Sequence, residues 1–340
     1  MKCIFDFLIR KFIKNYSEVN SQQIRQSYGW LGGMVGFIIN TTILIIELFV
    51  GLFLNSISIT ADAIHNLTDA VSSIITILSF KIANRPADDK HPFGYGRVEY
   101  ITSLIFSLSI FVVGYEFMRS SIHRILHPVI IPFNEVAFLL MLLALPLQIF
   151  LNRFTTYLGI AIDSSALKAA ALESFTDILV LSMVTISLLI TKFTTFPVDG
   201  YAGIIVSVFI LHSGFVLSKE TLDYILGKAP DKELIKNIYT EVLSYNYITG
   251  VHDLVIHNYG PGRYMVSLHA EVPYDIPIMK IHDVIDNVEK EVGTKLNLSL
   301  SIHMDPFKND SPEVVTLRNQ LNDVLSHIKG IQSIDRKSVV

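Results

Sequence analysis

Apolar residues fall into six long blocks along the first two thirds of this chain, at about 31–54, 58–83, 99–121, 131–152, 165–191 and 199–222. Each is close to the ~20 residues that a helix needs to cross the hydrocarbon of a bilayer. The pattern predicts six membrane-spanning helices. From about Lys228 the text turns to charged stretches such as "KELIKNIYTEVLSY", the mark of a domain with one dry and one wet side. Periodicity there predicts a helix over 232–245, strands over 249–258 and 263–273, a helix over 278–292, a strand over 296–305 and further helix near 312–328. In the last strand Leu296, Leu298, Leu300, Ile302 and Met304 alternate with Asn297, Ser299, Ser301, His303 and Asp305, so one face is core and the other solvated. The order α-β-β-α-β points to a small ferredoxin-like domain. The expected organisation is an N-terminal segment (1–30), a six-helix transmembrane domain (31–227), an α/β domain (228–310) and a helical C-terminal extension (311–340).

Composition agrees. Of 340 residues, 51% are hydrophobic and only 17% charged, and the mean hydropathy is +0.47, as expected of an integral membrane protein. The net charge of −4, with no long basic run, argues against a nucleic-acid partner. A single cysteine, Cys3, excludes a disulfide framework and a cysteine-ligated zinc site, so any metal must be held by His, Asp or Glu. Lys2, Arg10, Lys11, Lys14 and Arg25 precede the first span and Lys81, Arg85, Lys90 and Arg97 follow the second, whereas the connection "LNSISIT" has no basic residue. The positive-inside rule therefore places both termini in the cytoplasm. Asp6, Arg10, Lys11 and Lys14 interrupt the apolar residues of the N-terminal segment, which reads as a retained, interfacial cytoplasmic stretch and not a cleaved signal peptide. Gly32 and Gly36 form a small-xxx-small pair suited to close helix approach.

The second span carries chemistry that a lipid-facing helix would not tolerate. Asp62, His65, Asn66, Asp69, Ser72 and Ser73 recur at helical spacing and form one polar stripe. The fifth span has Glu173 and Asp177, again one turn apart. Each ionisable group at bilayer depth costs about 2.5–3.5 kcal/mol on the lenient insertion scale, so four together cost on the order of 10 kcal/mol. A divalent cation compensates, because His65, Asp69, Glu173 and Asp177 can converge as one imidazole and three carboxylates on four corners of a tetrahedron. The plainer reading is a polar seam in which His65 bonds a carboxylate. Two matched pairs, with no basic residue nearby to neutralise three carboxylates, favour metal or proton binding. Glu47, a lone acid in the first span, reads as hydrogen-bonded structure.

The segments "ADAIHNLTDAVSS" and "RPADDKHPFGYGRVEY", six spans, and a tail containing "VHDL", "SLHAEV", "IHDVIDNVE" and "SIHMDPF" resemble the cation diffusion facilitator family from about Leu31 to Phe307. That resemblance implies a homodimeric, proton-coupled exporter of a divalent transition metal, with the transport site at His65, Asp69, Glu173 and Asp177. Zinc-transporting members usually carry histidine where this chain has Glu173, and many others carry aspartate. A second family site, in the loop after the second span, implies Asp88 and His91, but its third position is Tyr95, a poor ligand for a labile ion. The loop's other reading is a turn and helix start. The resemblance also implies a two-metal cluster in the cytoplasmic domain at His252, His269, His282, His303 and Asp305. Alternation already puts His269, His303 and Asp305 on the wet faces of their strands.

The expected function is efflux of Zn2+, or of Mn2+, Fe2+ or Co2+, with metal also bound by the cytoplasmic domain. Three carboxylates and one imidazole make a harder donor set than two imidazoles and two carboxylates, which shifts preference away from zinc, although tetrahedral geometry still suits zinc. A metallohydrolase is disfavoured because H-E-x-x-H is absent. A membrane-anchored metal sensor without transport is the stronger alternative, yet an inert anchor would not need four buried ionisable groups.

Overall fold

The structure is a computed structural model that describes residues 2–17, 21–53, 57–127, 133–191 and 198–307, with 316, 319, 320, 323 and 324; the side chains of 51, 53, 57–62, 65, 191 and 307 fall outside the description. The chain divides into two compact units, Met1–Lys228 with Asn258–Arg263, and Ala229–His257 with Tyr264–Val340.

The first unit is helical. A short helix α1 (Lys2–Phe12) is followed by six long ones: α2 (Gln22–Phe53), α3 (Ile57–Ala83), α4 (Val98–Leu126), α5 (Glu135–Ala161), α6 (Ser165–Thr191) and α7 (Val198–Leu226). Among the described residues, five of these are long and apolar enough to cross a membrane. The other, α3, is 27 residues long and carries the polar stripe. Its outward side is apolar: Ile64, Leu67, Val71, Ile74 and Leu78 are exposed, whereas Asn66, Asp69, Ser73 and Thr76 are buried. This inversion is what lipid demands, since the bilayer replaces water outside and the polar groups must find partners inside.

The N-terminal segment is more than an interfacial tether. On α1, Phe5 and Ile9, with Ile13 just beyond it, are buried against Tyr28, Leu31, Phe154 and Leu158, and Asp6 Oδ1 accepts a hydrogen bond from Tyr157 Oη at 2.7 Å. α2 starts well before the apolar block because Arg25 is partnered: it donates to the carbonyl of Ile162 and lies 3.4 Å from Glu99. Ser164 Oγ donates to the other oxygen of Glu99 at 2.7 Å. This buried pair joins α2, α4 and the α5–α6 turn.

α2 and α3 meet at glycines. A Cβ on Gly33 would come within 2.5 Å of Ile77 Cγ1 and 3.0 Å of the Ser73 carbonyl, and one on Gly36 within 2.8 Å of Ser73 Oγ. Gly32 faces Leu167 of α6 and Leu158 of α5, and Gly36 also reaches Leu151 of α5, so the Gly32–Gly36 pair shares α5; Gly29, Gly33 and Gly36 form the contact with α3.

The second unit runs α8 (Lys232–Val242), β1 (Gly250–Asn258), β2 (Tyr264–Pro273), α9 (Ile278–Leu296), β3 (Leu298–Phe307). The sheet order is β1-β2-β3, and β2 pairs in parallel with β3 in a register that sets His269 opposite His303 and Glu271 opposite Asp305. Val266, Leu268, Ala270 and Val272 pack with Ile238, Val242, Ile285 and Val288 in the core. The helix α9 extends four residues past the expected end, to Leu296, where Asn297 takes a left-handed conformation (φ 53°) and closes it. The expected helix at 312–328 lies largely outside the described residues.

Candidate functional site

In the membrane unit, Asp69 of α3 and Asp177 of α6 line one cavity of about 560 Å3, together with Glu47, Asn66, Ala144 and Gln148. The same two aspartates line a second, much smaller gap of about 30 Å3 that also holds Glu173, Ser72 and Asn40. Two helices thus bring three of the four expected transport-site carboxylates and imidazole together from positions a hundred residues apart. The glycine contact of α2 with α3 helps set the level of Asp69, because Ser73, against which Gly36 packs, donates its hydroxyl to the Asp69 carbonyl at 3.0 Å. Ser72 Oγ donates to Glu173 Oε1 at 3.2 Å, tying α3 to α6 at this point. His65 lies on α3 one turn before Asp69, and its side chain is outside the described residues. Glu47 Oε2 accepts from Asn66 Nδ2 at 2.7 Å, in keeping with the hydrogen-bonded structure expected of it, although it lines the larger cavity as well.

In the second unit, one residue from each strand converges on the sheet face turned away from the core. His252 Nε2 and His269 Nδ1 lie 3.1 and 3.4 Å from the same oxygen of Asp305. Donor atoms of the three residues all fall within 4.8 Å of one another. The edge of a tetrahedron with metal–ligand bonds of ~2.0–2.1 Å is about 3.3 Å, so this donor set fits a divalent transition ion. His252 Nδ1 is buried and has no hydrogen-bond partner among the described residues. The ring of His303 lies 4.7 Å from that of His269, tilted by 47°. His282 stands apart from the trio, on the first turn and a half of α9, 3.8 Å from Asp286.

Comparison with known proteins assigns a family domain to each part of the chain. Residues 33–226 match the cation efflux transmembrane domain and residues 230–307 the cation efflux protein cytoplasmic domain. The chain belongs to the cation efflux family, the cation diffusion facilitators. It is 32% identical over 262 residues to an uncharacterized transporter of Methanocaldococcus jannaschii, covering 77% of this chain and 92% of that one. It is 27% identical over 290 residues to the cation-efflux pump FieF of Salmonella typhi and 26% over 289 residues to that of Citrobacter koseri, in each case covering 83% of this chain and 95% of the relative.

In this cation diffusion facilitator the loop after α3 is a hydrogen-bonded turn. Asp88 Oδ2 accepts from Tyr95 Oη at 2.7 Å, and Oδ1 accepts from the backbone N–H groups of Lys90 and His91 at 3.0 and 2.7 Å. The Tyr95 hydrogen bond, then the backbone donors, hold the Asp88 carboxyl below the usual carboxylate range; the same bond raises the Tyr95 phenol. His91 Nδ1 stays 3.7 Å from Asp88.

Sequence reasoning passed over Gln148 and Asn40. Each is a single amide in an apolar run, a signal too weak to separate a cavity wall from an ordinary helix contact.

Proposed function

We propose that this integral membrane transporter exports a divalent transition metal from the cytoplasm in exchange for protons, working as a homodimer with both termini cytoplasmic. The observation that carries the reading is that Asp69 and Asp177, on different helices of a membrane unit, line one cavity. Carboxylates at such depth are costly unless they bind a cation or a proton. With His65 and Glu173 they supply four donors that take metal when deprotonated and protons when empty, which couples the two fluxes through a shared site. The imidazole and three carboxylates suit Mn2+, Fe2+ or Co2+ as well as Zn2+.

The cytoplasmic trio His252, His269 and Asp305 would hold a regulatory metal, with His303 and His282 as further donors on the same domain. Because that trio would also serve a non-transporting sensor, flux is the deciding measurement. Full-length protein in proteoliposomes, with a pH-sensitive dye inside and a panel of Zn, Mn, Fe, Co, Ni and Cd outside, should show metal uptake with opposed proton movement. Asp69→Ala and Asp177→Ala should each abolish it while the protein stays folded and dimeric. Undiminished uptake in both variants would remove these residues from the site, and no uptake by the parent chain would favour the sensor.

A further inference from the structure

The cavity shared by Asp69 and Asp177 has a polar wall that the four-donor site does not use. Gln148 of α5 lines it and is only 4% exposed. Its amide nitrogen is directed at Asn40 Oδ1 of α2, 3.5 Å away. Asn40 Nδ2 in turn points to Ser73 Oγ of α3 at 3.5 Å, and that hydroxyl donates to the Asp69 carbonyl at 3.0 Å. This chain of amides and hydroxyl crosses three helices and fixes which way Gln148 faces. With its nitrogen committed to Asn40, its Oε1 points away from that contact, and this oxygen has no hydrogen-bond partner among the described residues. Leaving a buried carbonyl oxygen unsatisfied carries a desolvation penalty, so a position that keeps one is expected to meet a donor or a cation during function.

We infer that Gln148 Oε1 is an additional oxygen ligand for the cation in passage, and that it biases transport toward ions that accept more than four hard donors. This rests on the transport reading above. An amide carbonyl is a neutral, hard ligand of the kind that Mn2+ and other oxygen-preferring ions take in six-coordinate shells. Zn2+ is commonly complete with four ligands and gains little from a fifth oxygen. Gln148 therefore adds to the selectivity that Glu173 begins.

The test compares initial rates of Mn2+ and Zn2+ uptake in proteoliposomes for the full-length chain, Gln148→Met and Gln148→Glu, with Asp69→Ala alongside. Methionine keeps the length and flexibility of the side chain but offers a soft thioether, so the Mn2+ to Zn2+ rate ratio should fall about tenfold. Glutamate keeps an oxygen and adds charge, so the Mn2+ concentration giving half-maximal rate should fall severalfold. A ratio within about twofold of the parent in a folded Gln148→Met protein overturns the inference. If that variant does not fold, an unchanged Mn2+ half-saturation in Gln148→Glu overturns it instead. In either case loss of transport in Asp69→Ala leaves the transport site standing, whereas full activity in Asp69→Ala would bring down the site itself.

Discussion

Ser72 Oγ donates to Glu173 Oε1 at 3.2 Å, so the helix that carries Asp69 also orients the carboxylate of α6. Exchanging Glu173 for histidine replaces a hard anionic oxygen with a borderline nitrogen while keeping the one-turn spacing to Asp177. Glu173→His should therefore raise the ratio of zinc to manganese transport by about tenfold, or ~1–2 kcal/mol in relative affinity; competition uptake with both ions measures it, and an unchanged ratio with activity intact would place Glu173 outside the ligand shell. In the loop after α3, Asp88 and Tyr95 are joined by a hydrogen bond at 2.7 Å. The lowered Asp88 value means that its contribution to the turn is present above the ordinary carboxylate range and is lost as pH falls through the depressed value. The raised Tyr95 value means that its contribution is present below the ordinary phenol value of ~10 and is lost as pH rises through the raised one. The turn is thus intact at every physiological pH. In Tyr95→Phe the Asp88 carboxyl should titrate at higher pH than in the parent, as read by the 13C shift of its γ-carboxyl; a midpoint that did not move would assign the depression to the backbone donors alone.

At the scale of elements, the close approach of α2 to α3 sets the level of Asp69. Gly33→Val would force side-chain atoms into Ile77 and the Ser73 backbone, where a single Cβ already falls within 2.5 and 3.0 Å. Overpacking of this kind costs about 1–3 kcal/mol, and here the displaced turn of α3 also holds Asp69. Gly33→Val should lower the thermal midpoint in detergent and reduce transport more than the equivalent change at exposed Gly227, where no atom lies within 4 Å of the added Cβ apart from strain at its φ of 92°. Normal transport with normal stability would show that the α2–α3 contact is not what positions the site. The six long helices were legible because lipid imposes a minimum length of apolar text, and the i, i+4 pairs because helical spacing is rigid. The beginnings and ends were less so. α2 extends back to Gln22 since Arg25 finds Glu99 and the Ile162 carbonyl, partners that come from distant parts of the chain. Leu296 fitted the alternation of the last strand, yet it belongs to α9 because Asn297 adopts the left-handed conformation that ends the helix one residue later. Gln148 and Asn40 were silent for the same reason as Arg25: what gives a lone polar residue its meaning is the helix packed against it.

Across the whole molecule, the reading proposed above gives each unit its own set of candidate metal donors, and the two sets differ in kind. The proposed membrane set has three carboxylates to one imidazole, the harder of the two donor sets. The cytoplasmic trio has two imidazoles to one carboxylate, with one oxygen of Asp305 already between His252 Nε2 and His269 Nδ1 at 3.1 and 3.4 Å. Donors already this close need little reorganisation on binding, which supports the proposed role of the trio as the seat of a regulatory ion. If the two sets act separately, they should be separable by mutation. Asp69→Ala with Asp177→Ala should leave metal binding by the cytoplasmic domain intact in calorimetry of the full chain while eliminating flux. His252→Ala with His269→Ala should remove that binding and leave flux at saturating metal close to the parent's, while shifting the metal concentration for half-maximal transport. Removing both imidazoles also takes two neighbours from Asp305, but its side chain is half-exposed and open to solvent, so the fold of the domain should survive. Loss of transport at saturating metal in the histidine pair, with the protein folded, would mean that the cytoplasmic ion is part of the transport cycle itself and not a regulator of it.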